Sequence, residues 1–173
     1  MSIQEPKSEA KGLPQSVRFS PAGQPPAASP QAPVLEPARP LKGVVAVIVR
    51  GGRFLVIRRS QFVRAPGMYC FPGGGIEAGE TEPAALHREL SEELNVTPRK
   101  ITRLWQSTTT WGVELAWWHV QLATEYRLEP NAAEVEVCHW YTAGEMRELA
   151  DLLPSNIAFL DALAAGEFAL PDK

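Results

Sequence analysis

From Leu41 onward, apolar and polar positions follow two periods, one suited to strands and one to a helix. Val44–Val49 is a run of β-branched and small apolar residues bounded by Gly43 and by Gly51-Gly52, the pattern of a buried strand. The glycine pair turns the chain into Arg53–Arg59, so a hairpin is expected. Gln61–Tyr69 reads as a loop, followed by Cys70-Phe71 and Pro72-Gly73-Gly74-Gly75. Leu86, Leu90 and Leu94 then recur at every fourth position and form one apolar stripe. That spacing predicts a helix over Glu82–Leu94, with Thr81 as N-cap and Pro83 tolerated in the first turn. Strand patterns return at Ile101–Thr109, Val113–Ala123 and Val135–Tyr141, and helices are expected over Ala143–Leu149 and Ser155–Ala165. Strands on both sides of a central helix, with more helix at the end, predict an α/β (α+β) sandwich.

Residues 1–39 have a different composition. Most of the sixteen prolines precede Leu41, among Ala, Gln, Ser and Gly. Proline removes amide donors and fixes φ, and few large apolar residues offset the entropy of ordering such a segment. An unstructured or polyproline-like tail is expected over 1–39, with the folded domain at 40–173.

Composition narrows the function classes. A formal charge of −3 and a pI near 5.7 argue against a general nucleic-acid binder. The N-terminus lacks the pattern of a signal peptide, and no apolar run is long enough for a membrane helix. Cys70 and Cys138 have no metal-type spacing and read as free thiols of a reducing compartment, so a cytoplasmic location is expected.

The predicted helix also carries a charge problem. At about 100° per residue, Glu89, Glu92 and Glu93 share one arc beside the leucine stripe. Like charges three and four positions apart repel, and Arg88 is the only nearby cation. Two readings follow, a solvated acidic face or a site for hard divalent cations, which take carboxylate oxygens and share their shell with phosphates. The preceding Pro72–Gly75 favours the second, because glycines let backbone groups approach an ion or phosphate without obstruction. Glu77 and Glu80 add carboxylates just before the helix.

The order is Gly74, five residues, Glu80, seven residues, then Arg88-Glu89-Leu90-Ser91-Glu92-Glu93-Leu94-Asn95-Val96. It resembles the signature of the Nudix hydrolases, most closely MutT-like members. The lead-in Val56-Ile57-Arg58-Arg59, the Phe71-Pro72-Gly73-Gly74 segment and Trp140-Tyr141 also look like that family's order. One position departs: Asn95 stands where the family has Gly. Asn is the next most tolerant residue in a left-handed helix-closing position, so the geometry is expected to survive.

The resemblance implies the Nudix fold, a mixed β-sheet packed between α-helices, and hydrolysis of a diphosphate linkage by metal-activated water. It implies Mg²⁺, with Mn²⁺ as a substitute. Glu92 and Glu93 match metal ligands, and Glu89 matches a further ligand or the general base. The base varies within the family, so Glu92 is counted with Glu89 and Arg88 among the catalytic candidates. Arg88 would orient a glutamate, the Gly73 carbonyl is a candidate ligand, and Glu80 would support the loop. Relatives supply one more glutamate from a later loop, for which Glu134 is the first choice and Glu136 the second. Arg58 and Arg59 end a strand and point to opposite faces. Arg59 matches a phosphate-contacting position, against a surface ion pair as the other reading, and Arg64 is a further candidate.

The substrate is less legible. Trp111, Trp117 and Trp118 could stack a base or pack the sheet, and His119 and His139 read as structural. Asp151–Asn156 resembles a MutT-like segment in which an Asn contacts an oxidised purine, making Asn156 a substrate candidate. Ser155 or Asn156 could equally cap a helix. The expectation leans to an (oxidised) nucleoside triphosphate pyrophosphohydrolase. The alternatives are an ADP-ribose or dinucleoside polyphosphate hydrolase, a non-catalytic binding module, and an isomerase using Cys70. A small-molecule nucleotide is the expected partner, without nucleic acid or membrane, and the family's habit leaves a homodimer open.

Overall fold

The computed structural model describes residues 41–171. The proline-rich stretch 1–39, and the expectation made for it, lie outside the described residues. Seven strands and three helices follow in the order β1 (Lys42–Arg50), β2 (Arg53–Arg59), β3 (Tyr69–Cys70), β4 (Gly73–Gly75), α1 (Glu82–Leu94), β5 (Pro98–Thr108), β6 (Glu114–Leu122), β7 (Val135–Tyr141), α2 (Ala143–Arg147) and α3 (Pro154–Ala165).

The hairpin forms where the glycine pair stands. Gly51 and Gly52 both have positive φ (57° and 75°), so they close a two-residue turn with Arg50 opposite Arg53. The sheet is mixed: β1 runs antiparallel to β2 and β4 but parallel to β6, and β5 pairs antiparallel with β6. β2 leaves β1 after Phe54 to pair with β3, while β7 lines its other edge. β3 and β4 are strands that no local pattern announces. Three glycines have little strand propensity, and β4 exists because β1 offers it partners from Gly43 to Val45.

Both faces of β1 are covered, which explains its unbroken apolar run. Val44, Ala46 and Ile48 pack with Leu86, Leu90 and Leu94 of α1, while Val47 packs with Phe159 and Leu160 of α3 and Met146 of α2. The second layer is aromatic, with Trp117 and Phe159 stacked at a 4.6 Å centroid distance and Phe71 edge-on to both. The result is the expected mixed sheet between helices. Among the described residues, no helix is long and apolar enough to cross a membrane.

One local expectation is corrected. Neither Ser155 nor Asn156 caps α3: the cap position is Leu153, without a side-chain bond, because Pro154 begins the helix with a pre-set φ. The tryptophans do not form one cluster. Trp117 is fully buried on the α3 face, Trp118 packs on the α1 face, and Trp111 stands 78% exposed in the β5–β6 turn.

Candidate active site

The helix α1 is closed at both ends by its own sequence. Thr81 accepts a hydrogen bond from the Ala84 amide, and Asn95 adopts the left-handed conformation (φ 54°, ψ 40°) that the signature position requires. With the leucine stripe fixed on β1, the carboxylates divide. Glu89 and Glu93 turn inward beneath the glycine strand, where Glu93 is only 4% exposed. Glu92 stays on the rim with a side chain 47% exposed. The single acidic arc of the sequence thus becomes two buried carboxylates and one outer one.

The glycines are placed by what surrounds them. Gly73 has φ 138°, a region open to glycine, and a Cβ there would run into the Val44 carbonyl. A Cβ on Gly74 would overlap the Glu89 carboxylate. The Gly73 amide donates to Glu93 Oε2 at 2.9 Å. The β4 backbone therefore meets the Glu89 and Glu93 carboxylates of α1 directly, with no β4 side chain between them.

Arg88 holds the outside of the cluster. Its five N–H groups reach both oxygens of Glu80 (3.0 and 2.9 Å), Glu89 (2.9 Å), Glu92 (3.1 Å) and the Gly75 carbonyl (2.8 Å). Glu80 also accepts from the Glu77 amide. Its bonds to Arg88 hold its carboxyl below the usual range, as befits a loop support.

The fourth carboxylate arrives from the chain's later third. Glu134, just before β7, brings an oxygen within 4.8 Å of those of Glu89 and Glu93. Glu136 is elsewhere, bound by Arg58 at 2.8 and 2.9 Å. Of the two glutamates considered there, Glu134 is the one beside the helix. Arg58 and Arg59 have different partners, with a register shift in the β2–β7 ladder between them. Arg58 is occupied by Glu136 and the Gly67 carbonyl, whereas Arg59 donates to the Arg64 carbonyl and lies close enough to Glu93 to lower its pKa. Arg64 contributes that carbonyl to the loop.

Electrostatics confirm crowding. Glu93 is pushed up to about 8, chiefly by burial and further by Glu89 and Glu134, against the Gly73 bond and Arg59. Burial also raises Glu89, opposed by Arg88. Three converging hard-oxygen donors, of which buried Glu89 and Glu93 have raised proton affinity, fit a divalent metal of the Mg²⁺ type, which would supply the missing positive charge.

The chain matches the NUDIX domain over residues 39–163. It belongs to the Nudix hydrolase family. Its relatives include a Mycobacterium tuberculosis protein provisionally named 8-oxo-dGTP diphosphatase 2, 33% identical over 126 residues that span 70% of this chain and 86% of that one. The CTP pyrophosphohydrolase of Escherichia coli is 28% identical over 131 residues, covering 74% and 94% of the two chains. Among solved structures, the E. coli ORF135 protein superposes with a TM-score of 0.59 at 27% identity, over 77% of this chain and 94% of that one. The MutT protein of Methanosarcina mazei shares the fold at a TM-score of 0.59 and 20% identity, over 76% and 99%. This Nudix chain is therefore a pyrophosphohydrolase whose named relatives act on nucleotides.

Other residues take more modest places in this Nudix site. Asn156 is 2% exposed, and its Oδ1 accepts from the Phe71 amide at 2.9 Å, so it fixes the strand that leads into the glycines. Cys70 is buried and its thiol is pushed up to about 12, mainly by burial. A thiol so hard to ionise is a poor nucleophile, which speaks against the isomerase alternative. His119 is buried, its pKa lowered by burial and then by Lys100, and neither it nor His139 belongs to the acidic cluster. Sequence reasoning missed Ser60 and Asn131, whose bonds seat Glu134; no local pattern marks Ser60, and the turn that Asn131 closes is the one signal that could have found it.

Proposed function

We propose that this Nudix chain is a Mg²⁺-dependent hydrolase of a nucleoside diphosphate-X substrate, and that its substrate is an (oxidised) nucleoside triphosphate. The observation that carries the reading is the convergence of Glu89, Glu93 and Glu134 on one point beside Gly73. Glu89, Glu93 and Glu134 would hold the metal, with the Gly73 carbonyl as a further ligand and Glu92 completing the shell from the rim. When bound, Mg²⁺ supplies Lewis acidity toward the phosphates and lowers the pKa of water; Mn²⁺ is a fitting substitute.

The protein's own contribution is positioning and proton transfer. Glu89 is a candidate for the general base as well as for a metal ligand; burial raises its pKa, and Arg88 fixes its orientation. Arg88 also holds Glu92, so one guanidinium aligns two carboxylates. Arg59, on the cluster side of β2, would receive a substrate phosphate. Asn156 stays the candidate substrate-side residue, acting through the Phe71 backbone that it fixes. The preference for an oxidised triphosphate is supported by the name of the Mycobacterium tuberculosis relative and by the Leu153-Pro154-Ser155-Asn156 segment.

The test is a substrate panel with Mg²⁺: 8-oxo-dGTP, the normal nucleoside triphosphates, ADP-ribose and a dinucleoside polyphosphate. Release of a nucleoside monophosphate and pyrophosphate from a triphosphate, fastest for 8-oxo-dGTP, is expected. Faster cleavage of ADP-ribose or the dinucleoside polyphosphate would replace the substrate assignment. Inertness toward the whole panel, with no divalent-ion binding, would overturn the proposal.

A further inference from the structure

Ser60 follows β2 and is 3% exposed. Its hydroxyl donates to the Ala133 carbonyl at 2.6 Å, and its amide donates to the Glu134 carbonyl at 2.9 Å. One residue therefore takes two successive carbonyls. Those carbonyls belong to the two peptide planes that flank Glu134. The amides of the same two planes, on Glu134 and Val135, both donate to the Asn131 carbonyl at 2.8 Å. The Asn131 amide in turn donates to the Glu93 carbonyl at 2.9 Å.

A planar peptide has no internal freedom, so pinning both planes around a residue fixes its φ and ψ. The direction of the Cα–Cβ bond is then fixed as well. Glu134 sits in a turn rather than on a regular ladder, and these four bonds replace the ladder that would otherwise aim it. Asn131 ties the turn to α1, and Ser60 ties it to β2. The Ser60 hydroxyl also accepts from the Phe62 amide at 3.2 Å, which anchors the β2–β3 loop to the same point.

We infer that Ser60 is a positioning residue for the metal-dependent reaction: by clamping the carbonyls on either side of Glu134, it holds that carboxylate in register with Glu89 and Glu93. The inference rests on the proposed role of Glu134 as a metal ligand. Groups that orient metal ligands are commonly worth about 10- to 100-fold in metal affinity or activity.

The experiment is a double-mutant cycle of Ser60→Ala and Glu134→Gln in the full chain. Mn²⁺ affinity is read by paramagnetic resonance, kcat and KM on a nucleoside triphosphate, and the melting temperature without metal. Ser60→Ala is expected to weaken Mn²⁺ binding and lower kcat on the order of tenfold with KM little changed. Ser60→Thr, which keeps the hydroxyl, should restore most of both. In the Glu134→Gln background, Ser60→Ala should add less than about twofold. A lowered melting temperature with Mn²⁺ affinity and kcat intact would overturn the inference, as would full multiplicative losses in the double variant. No effect of Glu134→Gln alone would instead remove the ligand role of Glu134, and this inference with it. Should Ser60→Ala not fold, Ser60→Cys, similar in size but a weaker donor, is read by the same criteria.

Discussion

Glu93 on α1 and Gly73 on β4 are joined by a 2.9 Å hydrogen bond from the glycine amide to Glu93 Oε2. The bond places a buried carboxylate against a strand that only glycine can build there. Glu93→Gln keeps an acceptor for the amide and removes a charge that burial, Glu89 and Glu134 all oppose. Activity should fall on the order of 10²-fold. The metal-free melting temperature at alkaline pH should stay the same or rise. A calorimetric scan showing a marked drop would mean that the charge stabilises the fold.

The raised Glu93 pKa sets a pH dependence with a definite sign. Its carboxyl moves from 4.5 to about 8 in the folded protein, so the folded state holds a proton that the unfolded chain has lost. The associated stability is fully present below about pH 4.5 and is lost as pH rises through about 8. Mg²⁺ competes for the same oxygens, so its affinity should rise over that window with proton release. The melting-temperature gain from added Mg²⁺ should be larger at about pH 8 than at about pH 6. An equal gain at both would refute the assignment.

Gly74 tests the close approach from the other side. A methyl group at this position would overlap the Glu89 carboxylate. Gly74→Ala should displace Glu89 and lower kcat by about 10- to 100-fold, whereas Gly51→Ala, remote from the cluster, should act on stability alone. Steady-state kinetics beside thermal melts would distinguish the two.

Asn95 replaces the family's glycine in the left-handed cap, where its amide also donates to Glu129 at 2.8 Å. Asn95→Gly removes backbone strain and that bond together, so the change should stay within about 0.5 kcal/mol. Asn95→Ala keeps the strain without the bond and should cost about 1 kcal/mol or more. Denaturant titration gives both values.

The Asn156–Phe71 bond is buried, so its loss is costly. Asn156→Leu leaves the Phe71 amide without its acceptor and should destabilise by about 1–3 kcal/mol. If Asn156 also reads the base, KM for a preferred purine substrate should rise more than that for a pyrimidine one.

Much of this protein was legible in the chain. The leucine stripe fixed α1, Thr81 and Asn95 fixed its ends, and the glycine pair fixed the hairpin, because each depends on residues a turn or less apart. The signature spacing announced the chemistry for the same reason: Arg88, Glu89 and Glu93 lie on one helix, and helical geometry relates them without help from the rest of the fold. Periodicity alone could not say which glutamates face inward. Packing of α1 on β1 decided that, burying Glu89 and Glu93 and leaving Glu92 on the rim.

The remainder belonged to the tertiary structure. β4 formed because β1 supplied its hydrogen bonds, Glu134 rather than Glu136 reached the cluster because β7 follows β2 with a shift at Arg58–Arg59, and Asn156 was drawn inward by an amide 85 positions away. Ser60 carries no local signal, since its role lies in bonds to distant backbone, and Asn131, though it closes a local turn, is tied to α1 through the distant Glu93 carbonyl. Sequence determined the helix and the kind of bond it helps to cut. Long-range contacts decided which carboxylates meet, because those distances are set by packing and not by position along the chain.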